Sequence, residues 1–375
     1  DCILEGGQTK EDTKRDEVFF NEILAPDEIN TILEDKVFTN WKRYDKDGEH
    51  KLDELKPNDN LVIKGNNLVV LYSLKKRFAG KVKLIYIDPP FNTGGDSFGY
   101  NDHFNHSTWL TFMKNRLEVA RNLLSDDGAI FIHLDFNESH YCKVLMDEIF
   151  GRDMFRNEII WSYGAGGNPK GFFPRKHDSI LFYSKKNMND FNKEASVMRV
   201  PFDKSTLEMH FKKVDKNGRR YRVQKVNGKE YIVYADEGKL VTDVWTDIGA
   251  QNATSPISSE YTGFSGGQKP EKLIQRIIEA TTKPGDIVLD YHLGSGTTAC
   301  VALKMGRQFI GIEQMYYGDC DSVKRLQKVV DGDKGGISKD VNWAGGNSFV
   351  YCNIKNDANK FREKVQAADD KKMDD

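Results

Sequence analysis

Short apolar runs alternate with helical patterns along much of this chain, and that alternation constrains its fold more than any other feature. The runs at 61–63, 82–87 and 129–132 have the length and composition of buried strands. The segments 68–78 and 107–124 carry apolar residues at helical spacing. Strands that alternate with helices form a mostly parallel sheet that is covered on both faces. The sequence therefore predicts a doubly wound α/β fold.

The alternation stops near residue 164 and resumes near residue 269, so the α/β pattern encloses a segment of different character. Within that segment short β-like runs alternate with turns of the Asn-Gly type, which favour hairpins. We therefore predict an α/β domain in two halves with a β-rich insertion between them. The predicted segments are an N-terminal extension (1–56), a first half (57–163), the insertion (164–265), a second half (266–352) and a charged C-terminal tail (353–375).

The composition is that of a soluble protein and excludes several classes. The net charge is −2, and no apolar run approaches the ~20 residues that a membrane span needs. The first residues lack the pattern of a secretory signal, and the absence of an initial Met suggests a fragment or processed product. Five scattered cysteines predict reduced thiols, and no Cys or His spacing indicates a metal site. We expect a cytoplasmic protein that has no membrane span and binds no metal.

One strand-like run ends in a stiff turn, Asp88-Pro89-Pro90-Phe91. The two prolines fix φ and lack N–H donors, so we expect the carbonyls of the turn to stay free as acceptors. The turn thus combines a carboxylate, free carbonyls and a flat ring. Such a set suits a planar group that carries an amine. An ordinary Asp-Pro turn at the end of a strand is the alternative, and these four residues alone do not decide between the two.

A second turn has the pattern of a nucleotide-binding βαβ unit. Asp290 ends an apolar run, and the two glycines of Gly294-Ser295-Gly296 allow a close backbone approach at the start of a helical segment. Glu313 ends the next strand-like run, where a carboxylate can bind both hydroxyls of a ribose. The loop also satisfies the G-x-G-x-x-A dinucleotide pattern, so an NAD-dependent oxidoreductase is one alternative and a glycine turn without a ligand is another.

The insertion concentrates positive charge. It holds 17 basic and 12 acidic residues, and the stretch 209–229 holds 8 basic residues against one acid. Phe211 and Tyr221 lie among these charges. A solvated charged face is the simpler interpretation, but the sign asymmetry and the ribbon-like turns favour contact with nucleic acid. The residues predicted to bind DNA are Lys212, Lys213, Arg219, Arg220, Arg222 and Lys225.

The order of these features resembles the S-adenosylmethionine-dependent DNA amino-methyltransferases of the permuted β class. In that class the D-P-P-Y/F motif precedes the recognition region and the cofactor motif comes last. The resemblance spans about 59–352 and is strongest to the modification (Mod) subunits of Type III restriction-modification systems. The stretches that carry this closer likeness are Lys64-Gly65-Asn66-Asn67, Phe104-Asn105-His106-Ser107-Thr108-Trp109, Leu289-Asp290-Tyr291-His292-Leu293-Gly294-Ser295-Gly296-Thr297-Thr298 and Trp343-Ala344-Gly345-Gly346-Asn347-Ser348-Phe349-Val350-Tyr351.

The resemblance implies a role for each matching residue. Asp88 and the Pro89 carbonyl accept hydrogen bonds from the N6 amine of a flipped-out adenine, and Phe91 stacks on the base. Asp at this position implies adenine, because cytosine-N4 relatives usually carry Ser there. The implied catalytic motif is Asp88, Pro89, Pro90 and Phe91. The residues implied to bind S-adenosylmethionine are Asp88, Gln268, Lys269, Pro270, Asp290, Gly294, Ser295, Gly296, Thr297 and Glu313.

Two departures and several alternatives accompany the resemblance. Phe91 replaces the commoner Tyr, and Tyr291-His292 replaces the usual Pro-Phe or Phe-Phe. The resemblance implies duplex DNA as substrate, a homodimer and a restriction subunit as further partners, and the bacterial cytoplasm as location. The alternatives are a cytosine-N4 methyltransferase, a DNA-specificity subunit that does not catalyse and an NAD-dependent oxidoreductase. The halves 57–163 and 266–352 thus become the catalytic and cofactor-binding halves, and 164–265 the target-recognition region.

Overall fold

A computed structural model describes residues 36–52, 54–93, 105–164, 169–186, 190–250, 260, 262–264 and 267–355. Most of the predicted N-terminal extension and of the charged C-terminal tail lie outside the described residues. So does Phe104 of the Phe104–Trp109 stretch.

The described residues form sixteen strands and seven α-helices. The strands are β1 (Phe38–Asp45), β2 (Gly48–Lys51), β3 (Asn60–Lys64), β4 (Val82–Ile87), β5 (Leu124–Leu134), β6 (Phe155–Ser162), β7 (His177–Ser184), β8 (Arg199–Val200), β9 (Lys213–Val214), β10 (Arg220–Val226), β11 (Lys229–Tyr234), β12 (Lys239–Leu240), β13 (Val244–Trp245), β14 (Ile287–Asp290), β15 (Gln308–Glu313) and β16 (Phe349–Ile354). The helices are α1 (Asn67–Phe78), α2 (His106–Leu123), α3 (Ser139–Phe150), α4 (Lys204–His210), α5 (Glu271–Thr281), α6 (Thr297–Lys304) and α7 (Ser322–Val330).

Eleven of these strands form one sheet in the order β13-β6-β7-β5-β4-β14-β15-β3-β16-β1-β2. The six strands from β5 to β16 in this order run parallel to one another. Strands β7 and β1 run antiparallel to their neighbours on either side of this parallel centre. The predicted mostly parallel α/β sheet is therefore confirmed.

Helices cover both faces of the sheet, as the doubly wound prediction requires. Helices α1, α2 and α3 pack on one face, and α5, α6 and α7 pack on the other. Strand β4 shows the alternation directly. Ile85 and Ile87 pack in the core with the first group of helices, whereas Leu84 and Tyr86 pack with the second group. All six residues of β4 are buried, because a central parallel strand is covered on both sides.

The direction of winding reverses between β4 and β14. The chain passes from β3 through α1 to β4 and then moves outward to β5, and only later returns as β14 and β15, which fill the space between β4 and β3. Ligands of open α/β sheets bind at the carboxyl ends of the strands at such a switch point. The turn after β4 and the loop after β14 both lie at this point.

The insertion forms two small sheets and then rejoins the main sheet. The small sheets have the orders β11-β10-β9 and β12-β8. Strand β13 adds to the edge of the main sheet in parallel with β6, and the Trp161 indole N–H donates to the Ile248 carbonyl at 2.8 Å. The guanidinium of Arg276, on α5, contacts the Val197 carbonyl at 3.0 Å and the Asp247 carboxylate at 3.0 Å. These contacts dock the β-rich segment on the α/β domain.

One local feature differs from the sequence expectation. The segment 125–128 reads as a turn, yet it belongs to β5, because Leu124 pairs with Val82 and the ladder resumes at Ala129 after a bulge. Gly128 lies against the backbone of β4, and a Cβ there would come within 3.0 Å of the Val82 carbonyl. Close packing of two backbones thus extends a strand through residues that usually form turns.

The described part of the chain contains no helix long and apolar enough to cross a membrane. It also contains no group of three or more His, Cys, Asp or Glu side chains placed to hold a metal ion.

Candidate active site

Three carboxylates that are far apart in the chain meet at adjacent strand ends. Asp88 follows β4, Asp290 ends β14 and Glu313 ends β15, and these three strands are neighbours in the sheet. Because the strands are parallel, all three side chains lie at the same edge. The sequence separates Asp88 from Asp290 by about 200 positions, and the sheet places the strands that carry them side by side.

The turn after β4 is held rigid by a buried tryptophan. The indole N–H of Trp109, on α2, donates to the Pro90 carbonyl at 2.7 Å. Asn92 adopts a left-handed φ of 59°, and its amide donates to the buried carboxylate of Glu138 at 2.6 Å. The expectation that every carbonyl of this turn stays free is therefore wrong for Pro90, whose oxygen anchors the turn to α2.

Lys269 contacts the Asp88 carboxylate from the other half of the domain. Its ammonium group donates to Asp88 Oδ2 at 2.6 Å and lies 5.0 Å from the centre of the Phe91 ring. The second carboxylate oxygen, Asp88 Oδ1, is buried and has no hydrogen-bond partner among the described residues. A buried acceptor without a partner costs free energy, so Oδ1 is positioned for a donor that a ligand would supply.

A buried network supports the Phe91 ring. The ring stacks on His133 with 6.0 Å between ring centres and 19° between planes. His133 Nδ1 lies 2.9 Å from the Tyr86 hydroxyl, and His133 Nε2 lies 2.9 Å from Asp178 Oδ2. Although burial raises the pKa of Asp178, the hydrogen bond with His133 contributes to a net lowering. The only signal of this network in the sequence is a histidine within the apolar run of β5, and no sequence motif connects it to Phe91.

The glycine loop adopts the backbone conformation that its sequence predicts. Gly294 and Gly296 have φ values of 50° and 82°, and Gly296 is the N-cap of α6. A Cβ at Gly296 would come within 3.0 Å of Ser322 Cβ. The positive φ and the tight packing together explain the requirement for glycine at this position.

The side chains of Ser295 and Thr297 point toward the interior of the domain. The buried guanidinium of Arg325, on α7, donates to Thr297 Oγ1 at 2.7 Å and to Ser295 Oγ at 3.3 Å. Arg325 also pairs with Glu271, whose carboxylate accepts from the buried Lys304 ammonium at 2.8 Å. This ion cluster lies behind the glycine loop and fixes it. Its members are spread over three helices, and no sequence motif joins them.

The environment of Asp290 and Glu313 disfavours their charged forms. The pKa of Asp290 is raised to about 7, mainly because the carboxyl group is buried. Hydrogen bonds lower this pKa, whereas the nearby charges of Asp88 and Glu313 raise it further. Burial also raises the pKa of Glu313, although its carboxylate accepts hydrogen bonds from the N–H groups of Gly294, Gln314 and Met315. Three acidic side chains thus crowd one edge of the sheet, and two of them have raised pKa values.

Gln268 and Pro270 lie at the N-terminal end of α5. The Gln268 amide donates to the Glu260 carbonyl at 2.7 Å, and its oxygen accepts from the Thr262 hydroxyl at 3.0 Å. Pro270 is the N-cap of α5, directly after Lys269. Gln268 and Pro270 therefore fix the backbone on either side of Lys269.

Asn67 connects two of the stretches that carried the family resemblance. Its amide donates to the Tyr291 carbonyl at 2.9 Å, and its oxygen accepts from Arg116 Nε at 2.7 Å. The Tyr291 side chain is buried and that of His292 is partly buried against this group, and burial lowers the pKa of His292 to about 3. The unusual Tyr-His pair is therefore accommodated by packing, with a neutral imidazole.

A cavity of about 310 Å³ opens beside Glu313, between the ends of β3 and β15 and helix α7. Its lining includes Lys64, Glu313, Met315, Tyr316 and Lys324.

The six residues predicted to bind DNA have different surroundings. Arg219 forms ion pairs with Asp236 and Glu237, and Arg220 donates to the Phe211 and Leu207 carbonyls. Arg222 lies over the rings of Phe202 and Phe211, and Lys225 pairs with Glu230. Lys212 and Lys213 are exposed and lie at the start of the β9–β10 hairpin. The two lysines are thus more available to an external anion than the arginines.

The chain is similar to several curated proteins. It is 37% identical, over 96% of its length, to the "probable type III restriction-modification enzyme HindVI Mod subunit" of Haemophilus influenzae, of which it covers 64%. It is 28% identical over 70% of its length to the StyLTI Mod subunit of Salmonella typhimurium, of which it covers 52%. It is 32% identical over 62% of its length to the Type II methyltransferase M1.MboII of Moraxella bovis, of which it covers 84%. The chain therefore spans about half to two thirds of the two Mod subunits.

A family model described as DNA methylase matches residues 82–317. The match begins with β4 and includes the turn at Asp88, the insertion, the glycine loop and Glu313. It covers more than half of the chain and contains all three carboxylates of the candidate site, and on this basis the chain belongs to the DNA methylase family.

Proposed function

We propose that this protein transfers a methyl group from S-adenosylmethionine to the N6 amine of an adenine in duplex DNA. The observation that carries the proposal is the meeting of Asp88, Asp290 and Glu313 at the carboxyl ends of three adjacent strands. Asp88 offers a buried acceptor to an amine, and the other two carboxylates flank a glycine loop that suits a nucleoside-like ligand.

The charge of the site favours S-adenosylmethionine over a dinucleotide. The raised pKa values of Asp290 and Glu313 reflect burial and carboxylates that lie near one another. A sulfonium and an ammonium group would relieve this repulsion, whereas the pyrophosphate of NAD would add to it. The electrostatics therefore argue against the NAD-dependent alternative, although the glycine spacing alone permits it.

The residues after β4 account for the recognition of the amine. Asp88 Oδ1 and the Pro89 carbonyl accept the two N–H groups of the adenine amine and direct its lone pair, and Phe91 stacks on the base. When bound there, S-adenosylmethionine would supply the methyl group: the bond from sulfur to methyl would break as the bond from N6 to methyl forms, S-adenosylhomocysteine would leave, and N6 would lose one proton to solvent. Catalysis by positioning is consistent with a turn that Trp109 and Asn92 hold rigid. The amine is inaccessible inside the duplex, so the adenine must be flipped out.

The proposed cofactor site uses the residues around the glycine loop. The backbone of Gly294, Ser295, Gly296 and Thr297 lies next to the methionine moiety, since the Ser295 and Thr297 side chains are held by Arg325. Glu313 binds the ribose hydroxyls, and the cavity beside it has room for part of the adenosine. Lys269, which contacts the Asp88 carboxylate, would also bind the carboxylate of the cofactor. Gln268 and Pro270 hold Lys269 in place.

The biological setting follows from the similarity to Mod subunits. We infer that the protein acts as the modification component of a restriction-modification system in the bacterial cytoplasm. We further infer that it forms a homodimer, works with a restriction subunit and reads its target through the insertion. The adenine assignment rests on Asp88, since cytosine-N4 relatives usually carry Ser at this position.

One experiment tests the reaction and identifies the base. The purified protein is incubated with plasmid DNA and isotopically labelled S-adenosylmethionine, the nucleosides are analysed by mass spectrometry, and the methylated positions are mapped. We expect N6-methyladenine at one short sequence, and product reduced by about 100-fold or more with the Asp88→Ala variant. N4-methylcytosine would overturn the adenine assignment. Calorimetry that detects NAD binding but no S-adenosylmethionine binding would overturn the methyltransferase proposal.

A further inference from the structure

Two phenylalanines are exposed at the edge of the sheet where Asp88 lies. Phe173 is 94% exposed and Phe172 is 58% exposed. They belong to the segment that connects the carboxyl end of β6 with the start of β7. Since β6 runs in the same direction as β5 and β4, this connection lies at the carboxyl edge of the parallel strands. Contiguous exposed apolar surface, as opposed to single scattered side chains, is a feature of interaction sites.

An arginine links this segment to the strand next to the catalytic turn. The Arg175 guanidinium lies 3.6 Å from the centre of the Phe136 ring and 4.9 Å from the centre of the Phe172 ring. Phe136 follows the carboxyl end of β5, which is the direct neighbour of β4. The rings of Phe136 and Phe172 are thus held together by stacking on one cation. We call Phe136, Phe172, Phe173 and Arg175 the aromatic cluster.

The ends of the segment are fastened to the network beneath Phe91. The Tyr163 hydroxyl, just after β6, donates to Asp178 Oδ1 at 3.2 Å, and Asp178, at the start of β7, contacts His133 at 2.9 Å. Phe91 stacks on that histidine. The two ends of the segment that carries Phe172 and Phe173 are therefore anchored to the same buried side chains that support the Phe91 ring.

The charge of the segment matches that of a phosphate backbone. Residues 169–176 contain Lys170, Arg175 and Lys176 and no acidic residue. Exposed aromatic rings can stack on bases, and the positive charges beside them can contact phosphates. This combination suits DNA as the ligand. A flipped base leaves a gap in the stack, and proteins that distort DNA insert apolar side chains such as Phe between base steps.

We propose that Phe172 and Phe173 enter the duplex beside the target adenine and fill the space that the flipped base leaves. The two phenylalanines form a wedge, which Arg175 holds against Phe136. Lys170 and Lys176 contact the adjacent phosphates. This inference rests on the proposed DNA adenine methyltransferase function. It adds a DNA contact at the edge of the sheet where Asp88 lies to the contacts predicted for residues 212–225.

The test compares two duplexes that carry the mapped target sequence. In one duplex the target adenine is paired with thymine, and in the other it lies opposite an abasic site, so that no base pair must be broken. We expect Phe172→Ala/Phe173→Ala to lower kcat/KM on the paired duplex by about tenfold or more, and on the abasic duplex by about twofold or less. Phe173→Trp should restore most of the activity on the paired duplex.

A matched control and a second measurement separate the wedge from other roles. Phe191 is also exposed but follows β7 at the opposite edge of the sheet, so Phe191→Ala should leave both rates unchanged. With 2-aminopurine at the target position, the wild-type protein should raise the fluorescence on binding, and the double variant should raise it less.

Distinct results would overturn the proposal. An equal loss on both duplexes would show a contact that does not depend on the flipped base, and unchanged rates on both would show no role. A changed oligomeric state of the double variant in light scattering would identify the aromatic cluster as a protein interface. Failure of the wild-type protein to methylate either duplex would instead reject the proposed function itself.

Discussion

Lys269 donates a hydrogen bond to Asp88 at 2.6 Å, although the two residues are 181 positions apart in the chain. The contact joins the turn after β4 to the N-terminal end of α5. This ion pair therefore connects the two halves of the α/β domain. Both side chains are mostly buried, which strengthens their interaction relative to a surface pair. The pair leaves Asp88 Oδ1 as the oxygen available to a substrate amine.

We expect Asp88→Ala to reduce methyl transfer by about 100-fold or more, because the reaction would lose an acceptor that orients the amine. The fold should persist, since Asp88 lies in a turn that Trp109 anchors through Pro90 rather than through this carboxylate. Single-turnover transfer of a labelled methyl group and thermal unfolding measure the two effects. Near-normal turnover in Asp88→Ala would show that the carboxylate does not act in catalysis.

Lys269→Met should change the pH dependence of the reaction. Loss of the ammonium group removes a positive charge from beside Asp88, and this charge also helps to lower the pKa of Asp178. We expect the rising limb of the pH–rate profile to move to higher pH, and KM for S-adenosylmethionine to increase. Lys269→Arg keeps the charge and should retain the wild-type profile. A profile that is unaltered in Lys269→Met would contradict this role.

Asp290 should make the protein without its cofactor less stable at higher pH. Its pKa rises from 3.8 in the unfolded chain to about 7 in the folded one, mainly through burial. Between these values the unfolded chain releases the proton and the folded protein keeps it, so stability falls as the pH rises from about 4 to about 7. Asp290→Asn should therefore gain roughly 2–4 kcal/mol over the wild type at pH 8 and little at pH 4.

Urea denaturation at the two pH values checks this prediction. Asp340→Asn replaces a half-exposed carboxylate and serves as the control. An Asp290→Asn variant whose advantage is the same at both pH values would show that the Asp290 carboxyl is not the titrating group.

His133→Ala should destabilise the fold and disturb the Phe91 ring. Its removal would leave the Tyr86 hydroxyl and the Asp178 carboxylate buried without this partner, at a cost of roughly 2–4 kcal/mol. Tyr86→Phe removes a single hydroxyl and should cost only about 1 kcal/mol. Urea denaturation measures both. Equal losses in the two variants would show that the histidine does not organise the network.

The salt dependence of DNA binding should separate Lys212 and Lys213 from Arg219. The slope of log K against log salt is negative, and each lost phosphate contact reduces its magnitude by about 0.9. The Lys212→Glu/Lys213→Glu variant should therefore reduce the magnitude of the slope by about two. Arg219→Glu should have less effect, because its guanidinium already pairs with Asp236 and Glu237. Fluorescence anisotropy of a labelled duplex over a series of NaCl concentrations provides the slopes. No change in the lysine variant would place the DNA surface elsewhere.

The strands and helices of the parallel sheet could be predicted because their signals are local. Apolar runs of strand length and helical periodicity located β4, β14, β15 and the helices between them to within a few residues. The strand at 125–128 was missed because it depends on the packing of Gly128 against the backbone of another strand, which leaves no local pattern.

The sequence by itself determined the family, the fold class and the positions of the turn at Asp88, the glycine loop and Glu313, because each is a short contiguous motif. Only the tertiary structure decided that Lys269 would pair with Asp88, that His133 would support Phe91 and that Arg325 would hold the loop from behind. These contacts join residues from separate strands and helices. Their partners are chosen by the order and direction of the strands, which bring distant parts of the chain to one edge of the sheet.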